Sequence, residues 1–140
     1  MKTVVHATVS HIGGNHFRGS NPQGLGVEMD SRPADEPVAG ASPMELVLQA
    51  AGGCSGMDVV LVLKKRRLEL EKFEMRIEGV KRDEHPRIYE SIHITYRAKG
   101  IGITVEELER AAELSLKTFC SVFGMLKLAA KVTHSCELMD

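Results

Sequence analysis

The stretch Ser42–Asp58, which reads SPMELVLQAAGGCSGMD, decides the fold of this chain. It begins with a helix start signal, in which Ser42 is the N-cap, a proline takes the first helical position, and Glu45 follows three residues after the cap. The 18 residues that end at Leu63 contain one charged side chain, Asp58, and four basic residues come next. Because an amphipathic surface helix would carry a polar stripe, this pattern predicts a long buried helix whose C-terminal end reaches water.

One thiol, Cys54, lies in the middle of the predicted helix, and Gly52, Gly53 and Gly56 surround it. In a helix interior each glycine costs about 1 kcal/mol relative to alanine. The sequence therefore predicts either that another element approaches this backbone closely or that the space above the sulfur is kept open. Both interpretations make Cys54 the first candidate functional residue.

Length and composition exclude several classes of protein. The 140 residues indicate a single domain, residues 1–140, and 18 basic against 19 acidic side chains leave the chain nearly neutral. Without an aromatic-rich basic segment, the chain is not expected to bind nucleic acid. Three cysteines at long spacings do not form the framework of a small secreted protein, and the apolar run at the N-terminus is too short for a signal peptide. We therefore expect a cytoplasmic location.

A membrane span is the main rival interpretation of the apolar helix, since basic residues follow it as they follow many spans. The polar Gln49, Ser55 and Asp58 and the central glycines lower its hydrophobicity, and an intramembrane aspartate is costly. The sequence therefore favours a buried helix of a globular protein, with no membrane span.

The rest of the chain alternates between strand and helix patterns. A capping box formed by Thr104 and Glu107 begins an amphipathic helix, and a more apolar helical segment follows it. Alternating apolar residues predict strands at Val5–Val9, His16–Arg18, Leu25–Met29, Phe73–Ile77, Ile88–Tyr96 and Val132–Leu138. The strand at Val5–Val9 should have one face inward, and Ile88 and Tyr96 should both face inward in theirs. The order predicts an α+β fold, an antiparallel sheet packed on the long cysteine-bearing helix. One small sheet can hardly cover so apolar a helix, so a second subunit is expected.

The three cysteines call for different interpretations. Cys136 shares a predicted strand face with Val132 and Leu138, which favours a plain hydrophobic role. Cys120 comes where a helix restarts, and a helix N-terminus lowers the pKa of a thiol. If Cys54 and Cys120 meet in space, they can act as an attacking and a resolving thiol.

The two cysteine segments, 66 positions apart, carry a family resemblance. From about Val27 onward the chain resembles the OsmC/Ohr family, and some details resemble its YhfA-like branch. The residues that carry the family resemblance are Ser42–Leu46, Ala50–Ser55, Leu114–Ser115, Phe119–Val122 and Val132–Ser135. Those that point to the branch are Met44–Glu45, Gly52–Gly53, Pro86–Arg87 and Thr133–Ser135.

The resemblance implies an OsmC-like fold and an intertwined homodimer with two active sites at the interface. It implies reduction of organic hydroperoxides in oxidative-stress defence, with a dithiol as the reductant and no cofactor. Cys54 would attack the peroxide, and Cys120 would resolve the sulfenic acid to a disulfide.

In better-known members an arginine and a glutamate hold the attacking thiolate, and here this chain departs from the pattern. The family glutamate directly follows the helix-start proline, where this chain has Met44. Glu45 precedes Cys54 by nine residues, which places the two side chains on opposite faces of a straight helix, so Glu45 reads better as a capping residue. Arg18, in the dissimilar region, and Arg87, an exposed residue at a strand start, are the arginine candidates, with Arg32 a third.

Two further features have plain interpretations. Asp58 lies one turn beyond Cys54 on the same face, where a carboxylate would raise the thiol pKa, and we expect it to bond a serine or backbone group in a partner helix. The histidines match no zinc spacing, whether as His6, His11 and His16 or as His134 with Cys136, so no metal is expected.

Two functions remain open at the level of sequence. The first is a thiol peroxidase that acts on organic hydroperoxides. The second is a non-catalytic dimeric binding protein with an apolar interface pocket for a lipid-like small molecule. Met44 at the family glutamate position favours the second hypothesis, and the cysteine pair favours the first.

Overall fold

The computed structural model describes residues 2–140 and shows an α+β fold, as predicted. The elements in chain order are β1 (Thr8–Gly13), β2 (His16–Ser20), β3 (Gly26–Met29), α1 (Pro43–Lys65), β4 (Glu69–Lys81), β5 (Tyr89–Ile101), α2 (Val105–Leu114), a π-helical turn (Ser115–Phe119), α3 (Ser121–Leu126) and β6 (Lys131–Leu138). The chain divides into two units, Met1–Val47 and Leu48–Asp140. Whether both belong to the single predicted domain stays a prediction.

The first unit contains the three-stranded antiparallel sheet β1-β2-β3. The turn between β1 and β2 depends on Gly14, whose φ of +55° lies in the left-handed region that suits glycine. The strand predicted at Val5–Val9 begins only at Thr8, because pairing starts where Thr8 meets Ser20, the last residue of β2. The expected inward face is also wrong here, since every side chain of β1 is exposed.

The second unit contains the three-stranded sheet β4-β5-β6. β4 and β5 pair antiparallel, as predicted, but β6 runs parallel to β5, with His134 opposite Ile94. The parallel pairing follows from the connection, because three helical segments between β5 and β6 return the chain to the starting end of β5. Ile88, predicted to face inward, is 37% exposed. It lies just before β5, whose pairing with β4 shifts register between Val80 and Lys81, so that Tyr89 takes the buried position.

Helix α1 is held against β4 through its glycines. A Cβ at Gly52 would lie 2.5 Å from Cδ1 of Ile77, and one at Gly56 would lie 2.8 Å from Cε of Met75. These two glycines therefore serve the close approach that the sequence predicted. Gly53 has no atom within 4 Å of the corresponding position, so at this residue the space is open.

The prediction of a helix buried on all sides is wrong for the single chain. One side is buried, while Met57, Val60 and Leu61 on the other side are 75%, 44% and 52% exposed. With 23 mostly apolar residues, α1 also has the length and composition of a membrane span, as does the core helix of many soluble proteins. The absence of a membrane span stays a prediction.

Candidate active site

A local change of helix type places Cys120. Helix α2 gives way to the π-helical turn, whose last hydrogen bond runs from the backbone N–H of Cys120 to the carbonyl of Ser115 at 2.8 Å. Cys120 then adopts an extended conformation and caps α3, so the helix restart that the sequence predicted is confirmed. Single π-helical turns of this kind are frequent at functional sites.

The thiol of Cys120 is buried, with 5% of the residue exposed. The backbone N–H of Phe123 donates to its Sγ at 3.4 Å. Burial raises the pKa of Cys120 and outweighs the lowering effect of the Phe123 and Val122 N–H groups, so that the pKa reaches about 11. The predicted lowering by the helix start therefore operates but does not prevail, and Cys120 is a protonated thiol at neutral pH.

Cys54 and Cys120 meet in the folded chain. The two thiols lie close enough to interact, and the Cys54 thiol contributes to the raised pKa of Cys120. Neither cysteine is in a disulfide; Cys54 is half-buried, whereas Cys120 is buried. Two thiols in contact can form a disulfide by losing two electrons and two protons.

A chain of buried hydroxyls lies directly beside this cysteine pair. Ser55 Oγ is 2.5 Å from the Tyr96 hydroxyl and 2.7 Å from Ser115 Oγ, and the Ser115 hydroxyl donates to Oδ2 of Asp58 at 2.9 Å. Because Ser115 donates to the carboxylate, it accepts from Ser55, and Ser55 in turn accepts from Tyr96. Each hydroxyl thus donates toward Asp58.

The direction of this chain agrees with the state of Tyr96, which is fully buried. Burial raises the pKa of Tyr96, and the Asp58 carboxylate acts in the same direction. The phenol therefore stays protonated and remains a donor. The hydroxyl chain therefore connects Ser55, the residue after Cys54, to Ser115, the first residue of the π-helical turn.

Sequence reasoning missed this chain of hydroxyls, although it contained a signal. Tyr96 was predicted to face inward, and a buried tyrosine hydroxyl needs a partner. Ser55 and Ser115 were the small polar residues on otherwise apolar buried faces. The interpretation of Asp58 is confirmed, since it accepts a hydrogen bond from a serine of the helical segment packed beside it.

The supporting candidates from the sequence all have local partners. Glu45 forms the predicted capping box: its Oε1 accepts from the Ser42 backbone N–H at 2.9 Å, and its own N–H donates to Ser42 Oγ at 3.2 Å. Arg18 pairs with a glutamate of β3 at 2.7 Å, and Arg32 pairs at 2.9 Å with the aspartate two residues before it. Arg87 donates from Nε to a backbone carbonyl of its own loop at 3.3 Å.

The surroundings of Cys136 differ from those of the other two cysteines. It is half-buried on β6, and burial together with the Glu109 carboxylate raises its pKa to about 12. Its surroundings are thus less apolar than predicted, and Leu138, expected on the same packed face, is 47% exposed. Near it, one donor atom each of Glu109, Glu113 and His134 lies within 4.8 Å of the others, an arrangement that could hold a metal ion.

This chain is similar to known proteins in sequence and in fold. The family model described as OsmC-like protein matches residues 34–135. The protein YhfA of Escherichia coli strain K12 is 36% identical over 135 residues, covering 96% of this chain and 98% of YhfA.

Two solved structures share the fold at lower identity. An OsmC-like protein from Mycoplasma pneumoniae superposes with a TM-score of 0.85 at 14% identity, over the full length of both chains. The organic hydroperoxide resistance protein OhrB of Bacillus subtilis superposes with a TM-score of 0.63 at 17% identity, over 96% of this chain and 98% of OhrB. On the family match and the identity to YhfA, this chain belongs to the OsmC family.

Proposed function

We propose that this protein is a thiol-dependent peroxidase that reduces organic hydroperoxides. The observation that carries the proposal is the contact between the half-buried Cys54 and the buried, protonated Cys120. A peroxidase of this type needs one thiol that a peroxide can reach and a second thiol within bonding reach of the first. Membership of a family that includes proteins named for organic hydroperoxide resistance supports the substrate class.

The proposed reaction has three steps. The Cys54 thiolate attacks the distal oxygen of ROOH; the S–O bond forms, the O–O bond breaks, and ROH leaves with one added proton. The Cys120 sulfur then attacks the Cys54 sulfenic acid, giving a disulfide and one water. A dithiol reductant returns both cysteines to thiols and is itself oxidised to a disulfide.

The environments of the two thiols support these roles. Attack on peroxide requires a thiolate and access for substrate, and Cys54 is the more exposed of the pair. With a pKa of about 11, Cys120 holds its proton at neutral pH and is poorly suited to attack first. We propose that the protein works in the cytoplasm, where reductants keep such thiols reduced.

We also propose that the protein is a homodimer and that the second copy covers the exposed apolar side of α1. Met57, Val60 and Leu61 recur at helical spacing on that side, and a single copy leaves them in water. Gly53 lies on the same side with open space above it, which would let a second backbone come close. Burial of this side would place Cys54 at the edge of an apolar interface, where the organic part of a hydroperoxide would bind.

A second candidate function is a dimeric binding protein for a lipid-like small molecule. The observation in its favour is that Met44 replaces the family glutamate while Arg18, Arg32 and Arg87 are held by local partners. In that case the two thiols would line a pocket without turning over.

Peroxide consumption by the reduced protein, with a dithiol as electron donor, separates the two functions. We expect Cys54→Ser to abolish turnover and Cys120→Ser to trap a sulfenic acid on Cys54 after one equivalent of peroxide. Ser121→Ala, an exposed residue next to Cys120, is the matched control and should retain full activity.

Peptide mapping after mild peroxide should find a Cys54–Cys120 disulfide and a free Cys136. Sulfenic acid on Cys120 in the Cys54→Ser protein, formed at the wild-type rate, would reverse the roles. If neither variant forms a sulfenic acid and wild-type protein consumes no peroxide, the binding function replaces the peroxidase.

A further inference from the structure

A second cluster of reactive side chains lies between α2 and β6, outside the cysteine pair. Glu109 and Glu113 are one helical turn apart on α2 and face His134 on β6. One donor atom from each of the three lies within 4.8 Å of the other two, and all three residues are half-buried. His134 Nε2 is already 2.5 Å from Oε1 of Glu109.

Cys136 adds a fourth donor to the same face. It follows His134 by two residues on β6, so both side chains point to the same side of the sheet. The Cys136 thiol interacts with the Glu109 carboxylate, so it lies beside the other three donors. Two carboxylates and an imidazole therefore converge on one point, and the thiol borders them through Glu109.

An ordinary ion pair explains only part of this arrangement. Glu109 with His134 would be complete as a pair, and it needs neither Glu113 nor Cys136. The nearest lysine partner of Glu113 is Lys117, whose Nζ lies 3.7 Å away and whose side chain is 75% exposed. Two carboxylates that meet at one imidazole match the charge of a divalent cation, and an exposed lysine satisfies such a carboxylate only weakly.

The donor types narrow the choice of ion. Imidazole nitrogen, carboxylate oxygen and thiolate sulfur together suit Zn²⁺, which takes four such ligands in a tetrahedron. Ligand atoms around a tetrahedral Zn²⁺ lie about 3.4 Å apart, given metal–ligand distances of about 2.1 Å. The two glutamate side chains are flexible, and they can close the present separations, which are at most 4.8 Å among the three donor atoms.

An entry path for the ion is also present. A cavity of about 480 Å³ is lined by Glu113 and His134, by apolar side chains and by the three lysines Lys117, Lys127 and Lys131. An ion would thus reach these donors from the cavity without unfolding of either element. Besides suitable geometry, a metal site needs ligands of the right type and a path by which the ion can enter.

We propose that Glu109, Glu113 and His134 bind one divalent transition-metal ion, best fitted by Zn²⁺, with the Cys136 thiolate as the fourth ligand. On binding, Cys136 releases its proton to solvent, and the Glu109–His134 hydrogen bond is exchanged for metal–ligand bonds. With four protein ligands the site is of the closed, structural kind and fastens β6 to α2. The sequence predicted no metal because Glu109 and Glu113 precede His134 by 21 or more residues, so the three donors form no short ligand motif.

The test is titration of the reduced, metal-free, full-length protein with Zn²⁺ and with Co²⁺. The Cys54–Cys120 pair could itself bind either ion, so the titration is run in wild type and in the Cys54→Ser/Cys120→Ser double variant. We expect one ion per chain to bind at the proposed site in both proteins. The Co²⁺ form should show a thiolate-to-metal charge-transfer band that Cys136→Ser, made in the double variant, removes.

Ligand variants decide the outcome. In the double variant, His134→Ala and Glu113→Gln should each weaken Zn²⁺ binding by about 100-fold or more and remove the rise in Tm that Zn²⁺ produces. Glu106→Gln, an exposed carboxylate on the same helix, is the matched control and should leave the affinity unchanged. Two results would overturn the proposal. One is Zn²⁺ binding that survives both His134→Ala and Glu113→Gln, and the other is binding that is already lost in the Cys54→Ser/Cys120→Ser variant.

Discussion

Replacing Ser115 by alanine tests the central feature of the site, the chain of hydroxyls beside the two cysteines. The Ser115 side chain bonds Ser55 at 2.7 Å and Asp58 at 2.9 Å, and its backbone carbonyl accepts from Cys120. Ser115→Ala keeps the backbone bond and removes both side-chain bonds. It therefore separates the contribution of the hydroxyl from that of the π-helical turn itself.

The expected loss of stability follows from the two bonds. A hydrogen bond to a charged acceptor contributes about 1.5–3 kcal/mol and a neutral one about 0.5–1.5 kcal/mol, so Ser115→Ala should cost about 2–4 kcal/mol. For 140 residues, an unfolding entropy of about 2.1 cal/mol/K per residue converts this into a fall in Tm of about 7–14 °C. The same substitution should slow formation of the Cys54–Cys120 disulfide, because the hydroxyl chain no longer fixes the segments that carry the two thiols.

The assay is urea and thermal unfolding of the reduced protein at a fixed protein concentration, because dimer formation would make Tm depend on concentration. Thr118→Ala is the matched control: Thr118 lies in the same turn and is exposed, and its loss should change stability by less than about 0.5 kcal/mol. If the two variants unfold alike, the hydroxyl chain does not stabilise the fold and the reasoning fails. A Ser55→Ala/Ser115→Ala double variant should cost less than the sum of the single variants, since both lose the same bond.

Three further predictions concern the interface, the thiol and a helix contact. Gly53→Ala should weaken the proposed dimer, as measured by sedimentation, although alanine favours the helix more than glycine does. Gly124→Ala is the control, because Gly124 also has open space around it; this change should stabilise α3 by about 0.5–1 kcal/mol and leave the dimer unchanged. Because the pKa of Cys120 rises from 9.0 to about 11 on folding, stability should be full below pH 9 and fall between pH 9 and 11, and Cys120→Ser should flatten that fall in urea unfolding. Glu107→Gln should lose the ion pair with Arg66 at little cost, and the small difference from wild type should vanish at high salt.

Local signals made much of the fold predictable from sequence. Each helix start was correct because Ser42 and Thr104 satisfy backbone N–H groups within three residues of themselves. The antiparallel pair β4–β5 was correct because its two-residue period is long and unbroken. The failure at Ile88 has the opposite cause: a register shift moves the next residue to the buried face, and a one-residue slip reverses every side chain.

The site could be predicted only in part because its contacts join distant residues. Ser55 meets Tyr96 and Ser115 across 41 and 60 positions, and no periodicity within one element reveals such a meeting. The parallel direction of β6 depends on the whole helical connection before it, and it brings His134 opposite Glu109. The cysteine pair was predictable only through the family resemblance, which supplied the long-range information that the local pattern lacked.

The three glycines of α1 show how one helix can serve two neighbours. Gly52 and Gly56 give room to side chains of β4, whereas the room above Gly53 is unused within the chain. At about 100° per residue, Cys54 follows Gly53 by just over a quarter turn and lies between the two sides of the helix. The thiol therefore touches Cys120 within its own chain and also reaches the side that we propose a second copy covers. An attacking cysteine placed inside either packed side would lack one of the two contacts that the proposed reaction needs, the substrate or the resolving thiol.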